Sequence, residues 1–386
     1  MATDPRTLPE FPWDRLRPYA ERARAHPDGV VDLSVGTPVD PTPAFLQEAL
    51  AAAADAPGYP TVAGVPAVAD AVRAWFERVR GTGPLPGLGV MPSIGSKELV
   101  AWLPTMLGLG AGDVVVHPEV AYPTYDVGAR LAGATPVAAD ATTALGPDRA
   151  VRLVWLNSPA NPTGRVLGVE HLAKVVAWAR ERGAVVASDE CYADLGWTAQ
   201  WDPDQGGRQV PSVLDPRVTG GDLTGVLAVC SASKRSNLAG YRAAFVAGDP
   251  AVVRGLVEVR RHAGMIVPAP VQAALVASLS DDAHVAEQKA RYAARRAVLL
   301  PALLAAGLVV DDSEAGLYLW ARAPEGTGAS CWDLVARLAE AGVLVAPGDF
   351  YGPRGVGHVR VALTASDERI RAAAERLGAA PVVTSG

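Results

Sequence analysis

One stretch in the second half of the chain constrains it most, because an apolar strand pattern there ends in a lysine. Residues 226–230 are all apolar and predict a buried strand, and Lys234 follows shortly after them. An amine at the end of a buried strand is costly unless it has a task or a partner, and burial favours its neutral form, a nucleophile that forms Schiff bases. Ser231, Ser233 and Arg242 nearby supply the hydroxyl and guanidinium donors that suit a phosphate.

A lysine that binds an aldehyde beside a phosphate site predicts pyridoxal phosphate as the cofactor. Only four of the 35 basic residues are lysines, so arginine is the routine surface cation and Lys234 stands out. Lys174 and Lys289 lie on amphipathic helical patterns, where we expect them to be solvated. Lys234 could also be a side chain that reaches solvent from a strand end, or part of the S-x-x-K motif of β-lactamases and penicillin-binding proteins. That last alternative also requires Ser-Asp-Asn and Lys-Thr-Gly, and neither occurs in the sequence.

The size and charge of the chain limit its class. A chain of 386 residues, 49% of them hydrophobic, can form two ordinary domains or one large and one small domain. The formal net charge of −6 argues against nucleic acid or an anionic membrane as a partner. The three cysteines are far apart, so they indicate neither a metal site nor a disulfide framework, and we expect a reducing, cytoplasmic compartment. Residues 1–6 lack the apolar core of an export signal, and no run of about 18 apolar residues predicts a membrane span.

Alternating strand and helix patterns from about residue 89 predict a wound α/β sheet of about seven strands. Helical patterns dominate residues 250–307. Three short apolar strands, at residues 316–321, 343–346 and 359–363, then accompany one helical pattern. This second layout is typical of a smaller α+β domain. The sequence therefore predicts an α/β protein with a large sheet domain and a small domain.

Polar side chains follow several predicted strands, at the edge where wound sheets bind ligands. Asp189 and Tyr192 follow an apolar strand, and a carboxylate at that edge is more often functional than structural. Asn161 stands in a proline-stiffened loop and can direct its amide to a ligand oxygen. Ser96 opens a helix, where the N–H groups and the helix dipole favour an anion, although serine is also an ordinary N-cap residue. Arg360 lies inside an apolar strand, either as an edge residue facing water or as a bidentate clamp for a carboxylate.

These residues occur in the order found in one family. The chain resembles the fold-type I pyridoxal-phosphate aminotransferases of class I/II, in the aspartate aminotransferase superfamily, over nearly its whole length. The resemblance implies a large cofactor-binding domain, with a mostly parallel sheet of about seven strands between helices, and a smaller α+β domain. We expect residues 1–45 to contribute to the small domain, residues 46–275 to form the large domain and residues 276–386 to form the C-terminal small domain. Eight motifs carry the resemblance: Gly36, Tyr59, residues 95–97, Tyr122, residues 161–164, residues 189–192, residues 231–234 with Arg242, and Arg360.

The resemblance also implies roles for the residues around the cofactor ring. Lys234 would hold the cofactor as a Schiff base and later move the proton between the substrate Cα and the cofactor. Asp189 would pair with the pyridinium nitrogen and keep it protonated, and the nearby cation would favour the ionised carboxylate. Asn161 and Tyr192 would bond the phenolic oxygen. Tyr122 would stack on the ring.

The remaining implied roles concern the phosphate, the substrate and a second subunit. Arg360, the backbone near Gly36 and the amide of Asn161 would bind the substrate α-carboxylate. Tyr59 would reach the phosphate from the other subunit of a homodimer with shared active sites. One departure from the family is Ala244, where glycine is usual, and it puts local packing in question more than chemistry. The residues implied to hold the phosphate, by side chain or backbone, are Gly95, Ser96, Lys97, Ser231, Ser233 and Arg242.

A narrower resemblance, to actinobacterial N-succinyldiaminopimelate aminotransferases, rests on residues 11–16, 58–64 and 233–242. Those enzymes transfer an amino group from L-glutamate to N-succinyl-2-amino-6-oxopimelate, on the route to diaminopimelate and lysine. The resemblance implies a ping-pong reaction between an amino acid and a 2-oxo acid. A site for these substrates must be open and basic beyond the α-carbon. Residues 196–210, which include Arg208, and residues 261–268 are the candidates, unless both are ordinary surface loops.

Three other activities fit parts of the pattern. An aminotransferase for other amino acids, aspartate or aromatic, would share the whole constellation. A C–S β-lyase would use the same Lys234 linkage to break a bond at Cβ and would release pyruvate from cystathionine. A cofactor-binding regulator of this fold would need an N-terminal DNA-binding module, for which the roughly 30 irregular residues before Gly36 leave no room.

Overall fold

The computed structural model describes residues 8–9, 11–141 and 150–379, which contain a large sheet, a small sheet and the helices that cover them. The strands, in chain order, are β1 (Val31–Asp32), β2 (Gly89–Ile94), β3 (Val114–His117), β4 (Thr135–Ala138), β5 (Val151–Asn157), β6 (Val185–Asp189), β7 (Val226–Ser231), β8 (Ala243–Gly248), β9 (Val309–Asp311), β10 (Tyr318–Arg322), β11 (Val343–Leu344), β12 (Ala346–Pro347) and β13 (His358–Ala362). The helices are α1 (Arg17–Arg24), α2 (Ala44–Ala52), α3 (Pro66–Val79), α4 (Ser96–Met106), α5 (Thr124–Ala132), α6 (Val169–Arg180), α7 (Pro216–Thr219), α8 (Ala232–Arg235), α9 (Pro250–Ala263), α10 (Ala269–Ser280), α11 (Ala283–Ala305), α12 (Cys331–Glu340) and α13 (Asp367–Ala379).

The large sheet places the carboxyl ends of three neighbouring strands side by side. Its seven strands have the order β2-β8-β7-β6-β5-β3-β4, and every neighbouring pair is parallel except the two pairs made by β8. Strands β6 and β7 are buried almost throughout, as expected for a parallel sheet that helices cover on both faces. Asn157, Asp189 and Val229 are neighbours across β5, β6 and β7. The predicted α/β fold with a mostly parallel sheet is confirmed.

Each face of the large sheet has its own core, and successive residues of a strand alternate between the two cores. On one face, α3 contributes Trp75 and Phe76, whose rings meet the ring of Phe245 edge-on with centroids 5.8 and 6.4 Å away. On the other face, Tyr125 of α5 packs against Trp155 of β5, with ring centroids 5.0 Å apart. Buried aromatic side chains of this size dominate the energetics of a core, so they fix the helices against the strands.

The small sheet is antiparallel, with the order β12-β13-β10-β9, and it holds Arg360 in an interior strand. Arg360 of β13 lies between Trp320 of β10 and Ala346 of β12. The alternative of an edge residue facing water is therefore wrong. The N-terminal segment belongs to the same core, since Leu16 and Val31 are buried in it and β1 pairs with β11.

Three details differ from the sequence patterns or from the family. The apolar run at residues 343–346 is divided, because β11 pairs with β1 whereas β12 pairs with β13. The short strand β9 was not predicted. Ala244, in place of the usual glycine, is fully buried in β8 opposite Ser93 and Ser231, so the sheet accommodates its methyl group.

The predicted domain division stays a prediction. Its two boundaries fall within α2 and α10, and these helices share one buried core through Leu46 and Leu275. None of the described helices combines the length and the apolarity that crossing a membrane requires.

Candidate active site

A cavity of about 630 Å³ lies at the carboxyl ends of β5, β6 and β7. Tyr318 of β10 and Arg360 of β13, two strands of the small sheet, also line it. Every predicted site residue except Gly95 and Tyr59 lines it. Gly95 packs directly against Arg242, and Tyr59 is on the surface with 98% of its area exposed. The predicted residues in the lining are Gly36, Ser96, Lys97, Tyr122, Asn161, Asp189, Tyr192, Ser231, Ser233, Lys234, Arg242 and Arg360.

Lys234 enters the cavity because β7 passes directly into the short helix α8. Its Nζ donates a hydrogen bond to the carbonyl of Gly36. Glycine is required at position 36, because a Cβ there would lie 2.1 Å from the hydroxyl of Tyr318. Burial lowers the pKa of Lys234; Tyr318 opposes this shift, whereas Arg360 and Arg242 add to it. The neutral amine that nucleophilic attack requires is therefore favoured.

Asp189, at the end of β6, forms the floor of the cavity. Tyr125 donates a hydrogen bond to its Oδ2 at 2.9 Å, and the backbone N–H of Cys191 donates to its Oδ1 at 3.2 Å. Burial raises the pKa of the Asp189 carboxyl, and hydrogen bonds from Cys191 and Tyr125 oppose that rise. Burial also raises the pKa of Tyr125 well above its usual value, so the phenol remains a donor. Tyr125 was not predicted as a site residue. The one feature of the sequence that pointed to it is its position three residues after the predicted site residue Tyr122.

Asn157 ties the strand of Asp189 to the loop of Asn161. Its Nδ2 donates to the carbonyl of Asp189 at 3.0 Å, and its Oδ1 accepts from the backbone N–H of Asn161 at 2.7 Å. The Oδ1 of Asn161 in turn accepts from Nη1 of Arg360 at 3.0 Å. All of these side chains are buried. The loop is thus held from two sides, and the Nδ2 of Asn161 is left to donate into the cavity.

One end of the cavity gathers donors that suit a phosphate. Gly95 has a φ of +76°, and a Cβ there would lie 2.0 Å from Nη2 of Arg242, so glycine lets the guanidinium take this position. Ser96 is the first residue of α4, whose N–H groups favour an anion, and Gly95 rather than Ser96 is the N-cap. Ser231 accepts from the backbone N–H of Ser233 at 3.1 Å and donates to its hydroxyl at 2.9 Å. Hydroxyls, a guanidinium and a helix N-terminus in one place fit the phosphate of pyridoxal phosphate.

Arg360 is buried, with 3% of its area exposed, and has no carboxylate beside it among the described residues. Its Nη2 donates to the carbonyl of Ser34 at 2.6 Å. Its guanidinium carbon lies 4.0 Å from the ring centroid of Tyr318 and 5.1 Å from that of Tyr351. A buried cation among neutral groups is costly, so this position favours a bound carboxylate.

Two tyrosines connect the Arg360 end of the cavity to the Lys234 end. The hydroxyl oxygens of Tyr192 and Tyr318 are 3.1 Å apart, and both side chains are buried. Burial raises the pKa of Tyr318, but the net pKa is lowered, and the positive charge of Arg360 is the largest of the causes that lower it. Tyr318 was not predicted as a site residue, because its sequence pattern is that of an ordinary apolar strand.

Aromatic rings surround the mouth of the cavity. Phe11 and Trp13 of the N-terminal segment line it together with Tyr122, and Trp13 packs on Phe350 with ring centroids 5.1 Å apart. The Nζ of Lys97 lies 5.7 Å from the ring centroid of Phe11 and 5.9 Å from that of Tyr122. Lys97 is exposed, so a part in the phosphate cradle would come from its backbone at the start of α4 rather than from its amine.

Two expectations outside this cavity need correction. Lys289 is not solvated, because its Nζ pairs with Asp202 and, at 2.8 Å, with Asp204, and its side chain is only 14% exposed. An amphipathic pattern identifies the polar face of a helix but not a partner on another segment. Neither candidate loop, residues 196–210 or residues 261–268, lines the cavity of the described chain.

Comparisons with known proteins agree with this geometry. Residues 28–377 match the family model for aminotransferase class I and II. A probable aminotransferase of Mycobacterium tuberculosis is 60% identical over 371 residues, which cover 96% of this chain and 85% of that protein. The chain belongs to the class I and II aminotransferases. A second relative of this aminotransferase, the 4-dedimethylamino-4-oxo-anhydrotetracycline transaminase of Streptomyces rimosus, is 56% identical over 96% of this chain and 99% of its own length.

The fold of the aminotransferase is also that of a solved relative. A probable N-succinyldiaminopimelate aminotransferase from Thermus thermophilus superposes with a TM-score of 0.83 and 29% identity, over 96% of this chain and 100% of that chain. The resemblance to the family is thereby confirmed. The names of these relatives do not agree on a substrate. One contains no substrate, one contains a tetracycline intermediate, and one contains N-succinyldiaminopimelate, so the narrower assignment stays a prediction.

Class I and II aminotransferases use pyridoxal phosphate and act on amino acids and 2-oxo acids, so the predicted cofactor is confirmed. The cavity fits that cofactor at three points. Arg242 and the serines match its phosphate, Lys234 matches its aldehyde, and the buried carboxylate of Asp189 matches its ring nitrogen. The roles of the individual residues stay predictions.

Proposed function

We propose that this aminotransferase moves an amino group from L-glutamate to N-succinyl-2-amino-6-oxopimelate in a ping-pong reaction. One observation carries the proposal: besides Lys234 and the Arg242 of the phosphate end, the cavity is lined by Arg360 inside and Lys97 at the mouth, whose contacts among the described residues include no carboxylate. Arg360 can clamp the α-carboxylate that both substrates share. The succinylated acceptor carries further carboxylates, which an open mouth with an exposed lysine accommodates.

The residues of the cavity would divide the chemistry among them. Bound pyridoxal phosphate supplies an electron sink that weakens the Cα–H bond of the amino acid. Lys234, whose pKa burial lowers, takes the proton from Cα and returns it. Asp189, which Tyr125 holds at 2.9 Å, keeps the ring nitrogen protonated. Tyr192 would donate to the phenolic oxygen, and Arg360 would orient the substrate through its carboxylate.

Two further observations support this substrate class. The Thermus thermophilus relative that carries the N-succinyldiaminopimelate name matches nearly all of both chains. In addition, Phe11 and Trp13 belong to residues 11–16, one of the segments of the narrower resemblance, and they line the mouth of the cavity. The segment that resembles the N-succinyldiaminopimelate enzymes thus lies where the distal part of a substrate would bind.

The test uses the holoenzyme in the reverse direction, with 2-oxoglutarate as amino acceptor. N-succinyl-LL-diaminopimelate, LL-diaminopimelate, aspartate and phenylalanine are compared as donors by their kcat/KM. We expect the succinylated donor to be best and LL-diaminopimelate to be poorer by about fivefold or less, because it lacks the contact with the exposed Lys97. A faster reaction with aspartate or phenylalanine would contradict the substrate and leave membership of the family intact.

A second candidate acceptor is a ketone on a fused ring system. The Streptomyces rimosus relative is named as a transaminase of 4-dedimethylamino-4-oxo-anhydrotetracycline, and it is 56% identical to this chain. Phe11, Trp13 and Tyr122 give the mouth an apolar wall that suits a flat, polycyclic substrate. Faster turnover of that ketone with glutamate than of N-succinyl-2-amino-6-oxopimelate would favour this candidate.

We also propose a homodimer with shared active sites. Tyr59 lies outside the cavity of its own chain and is 98% exposed, and Val65 close by in sequence is 42% exposed. This exposure leaves Tyr59 free to reach the cavity of a second subunit, which is the place that the family resemblance gives it. Mixed dimers of Tyr59→Ala and Lys234→Ala chains should regain one complete site and thus activity. An active monomer in analytical ultracentrifugation would exclude the arrangement.

A further inference from the structure

Tyr318 lies between the carboxylate end and the cofactor end of the cavity. Tyr318 is on β10 and is paired with Ala362 on β13. Its ring centroid is 4.0 Å from the guanidinium carbon of Arg360, which is also on β13. On its other side, its hydroxyl oxygen is 3.1 Å from that of Tyr192. The backbone of Gly36 encloses the same hydroxyl, since a Cβ at that position would lie 2.1 Å from it. Tyr318 therefore touches both halves of the site.

We propose that Tyr318 is a positioning residue that couples the binding of a carboxylate at Arg360 to the hydrogen bond between Tyr192 and the phenolic oxygen of the cofactor. The inference rests on the proposed function through the roles of Arg360 and Tyr192. A hydroxyl has one hydrogen, so a Tyr192 that donates to the cofactor must accept from Tyr318. Hydrogen bonds in a chain polarise one another, so a stronger donor at Tyr318 makes Tyr192 a stronger donor too.

The charge around Tyr318 sets how strongly it donates. Burial raises its pKa, but the net pKa is lowered, and the Arg360 guanidinium 4.0 Å from the ring is the largest of the groups that lower it, so the phenol is a strong donor. A carboxylate bound to Arg360 cancels part of that positive field and weakens the donor. Tyr192 then stabilises the anionic phenolic oxygen less. Binding of a substrate carboxylate thus raises the pH at which the cofactor loses its proton.

The test is a pH titration of the visible absorbance of the holoenzyme, with and without glutarate, a dicarboxylate that has no amino group to react. The midpoint of the absorbance change is the pH at which half of the bound cofactor has lost its proton. In the wild type, we expect glutarate to raise this midpoint. In Tyr318→Phe, we expect the midpoint without glutarate to be higher by roughly a few tenths of a pH unit, because the polarisation that Tyr318 adds to the Tyr192 hydrogen bond is lost. The rise caused by glutarate should be smaller in this variant. It is not abolished, because the hydrogen bond from Arg360 to Asn161 at 3.0 Å remains as a second connection.

The matched control is Tyr351→Phe. Tyr351 is also buried against Arg360, at 5.1 Å, but its hydroxyl has no hydrogen-bond partner within the described residues. We expect this variant to keep the wild-type midpoint and the wild-type rise. Arg360→Ala should lose the response to glutarate, which checks the carboxylate clamp separately from Tyr318.

If Tyr318→Phe does not fold, Tyr318→Met also lacks the hydroxyl, fills the space with a flexible apolar chain and should give the same higher midpoint. A wild-type midpoint and rise in the variant that is measured would overturn the coupling. Changes of equal size in Tyr351→Phe would overturn it as well, since they would show a general response to a lost hydroxyl. The titration contains no amino acceptor, so a failure of the proposed acceptor substrate would leave its result unaffected.

Discussion

The floor of the cavity and its mouth are built in opposite ways. At the floor, Asp189 is buried and receives hydrogen bonds from Tyr125 at 2.9 Å and from the backbone of Cys191 at 3.2 Å. At the mouth, Lys97 is exposed and its amine lies over two aromatic rings. Changing a buried, hydrogen-bonded group disturbs all its partners, whereas exposed side chains are exchanged at little cost. We therefore expect the floor to determine the type of reaction and the mouth to determine the substrate.

The largest effect should come from Lys234→Ala at the floor. The change removes both the amine that binds the cofactor and the group that moves the proton, so we expect kcat/KM to fall by at least about 10³-fold. Borohydride reduction of the wild type followed by peptide mapping should place the cofactor label on Lys234. Lys174→Ala changes an exposed lysine of α6 and should keep full activity. If borohydride reduction labelled Lys97 rather than Lys234, the assignment of the floor would be overturned.

A smaller, pH-dependent effect is expected from Tyr125→Phe. Burial raises the pKa of Asp189 above its usual value, so the folded chain holds that proton to a higher pH than the unfolded chain does. The free energy of unfolding therefore falls as pH rises from about 4, near the unfolded pKa, to the raised pKa of the folded state. Tyr125→Phe removes a hydrogen bond that opposes the rise, so the pKa of Asp189 should rise further in the variant. Each further unit by which the pKa of Asp189 rises in the folded variant adds about 1.4 kcal/mol to the fall in the free energy of unfolding.

Urea unfolding of the cofactor-free protein at several pH values measures this effect. The difference in unfolding free energy between the wild type and Tyr125→Phe should stay constant near pH 4 and widen only at higher pH, where Asp189 has ionised in the folded wild type but still holds its proton in the folded variant. Tyr351→Phe also removes a buried hydroxyl, one without a hydrogen-bond partner in the described chain, and its difference from the wild type should stay constant. A constant difference for Tyr125→Phe as well would mean that the phenol does not act on the ionisation of Asp189.

The sequence could predict the strand-end residues of the floor but not their partners. Asp189 and Lys234 each follow an apolar run, and that signal is local. Tyr125, by contrast, meets Asp189 across 64 positions of the chain, and Tyr318 meets Tyr192 across 126. Whether distant side chains meet depends on how whole strands and helices pack, which the periodicity of one segment does not encode.

The same limit explains the errors outside the floor. The helical pattern placed Lys289 on a polar face, but its partner Asp202 lies 87 positions earlier. The apolar residues 343–346 predicted one strand, because a pattern does not show that β11 and β12 pair with different strands. The large sheet was predictable because buried parallel strands have long apolar runs. The mouth residues Phe11 and Trp13 entered only through a resemblance, since the short 3-10 helix Pro12–Leu16 that holds Trp13 is too short to give a periodic signal.

The smallest effect should come from Lys97→Met at the mouth. An ion pair with an exposed lysine is worth about 1 kcal/mol or less, so kcat/KM for the succinylated acceptor should fall about fivefold or less. Methionine keeps an unbranched apolar chain against Phe11 and Tyr122, so much of the packing at the mouth survives. The fall should shrink at high salt, because screening already weakens the contact in the wild type.

Steady-state kinetics with a second acceptor separates this role of Lys97 from a role at the phosphate. The monocarboxylate 2-oxohexanoate has no distal carboxylate, so Lys97→Met should leave its kcat/KM unchanged. Lys97→Arg keeps the charge and should retain most activity with the succinylated acceptor. An equal fall with both acceptors would show that the amine acts through the cofactor phosphate, whose binding every acceptor requires. Substrate choice would then have to come from the aromatic rings of the mouth or from a second subunit.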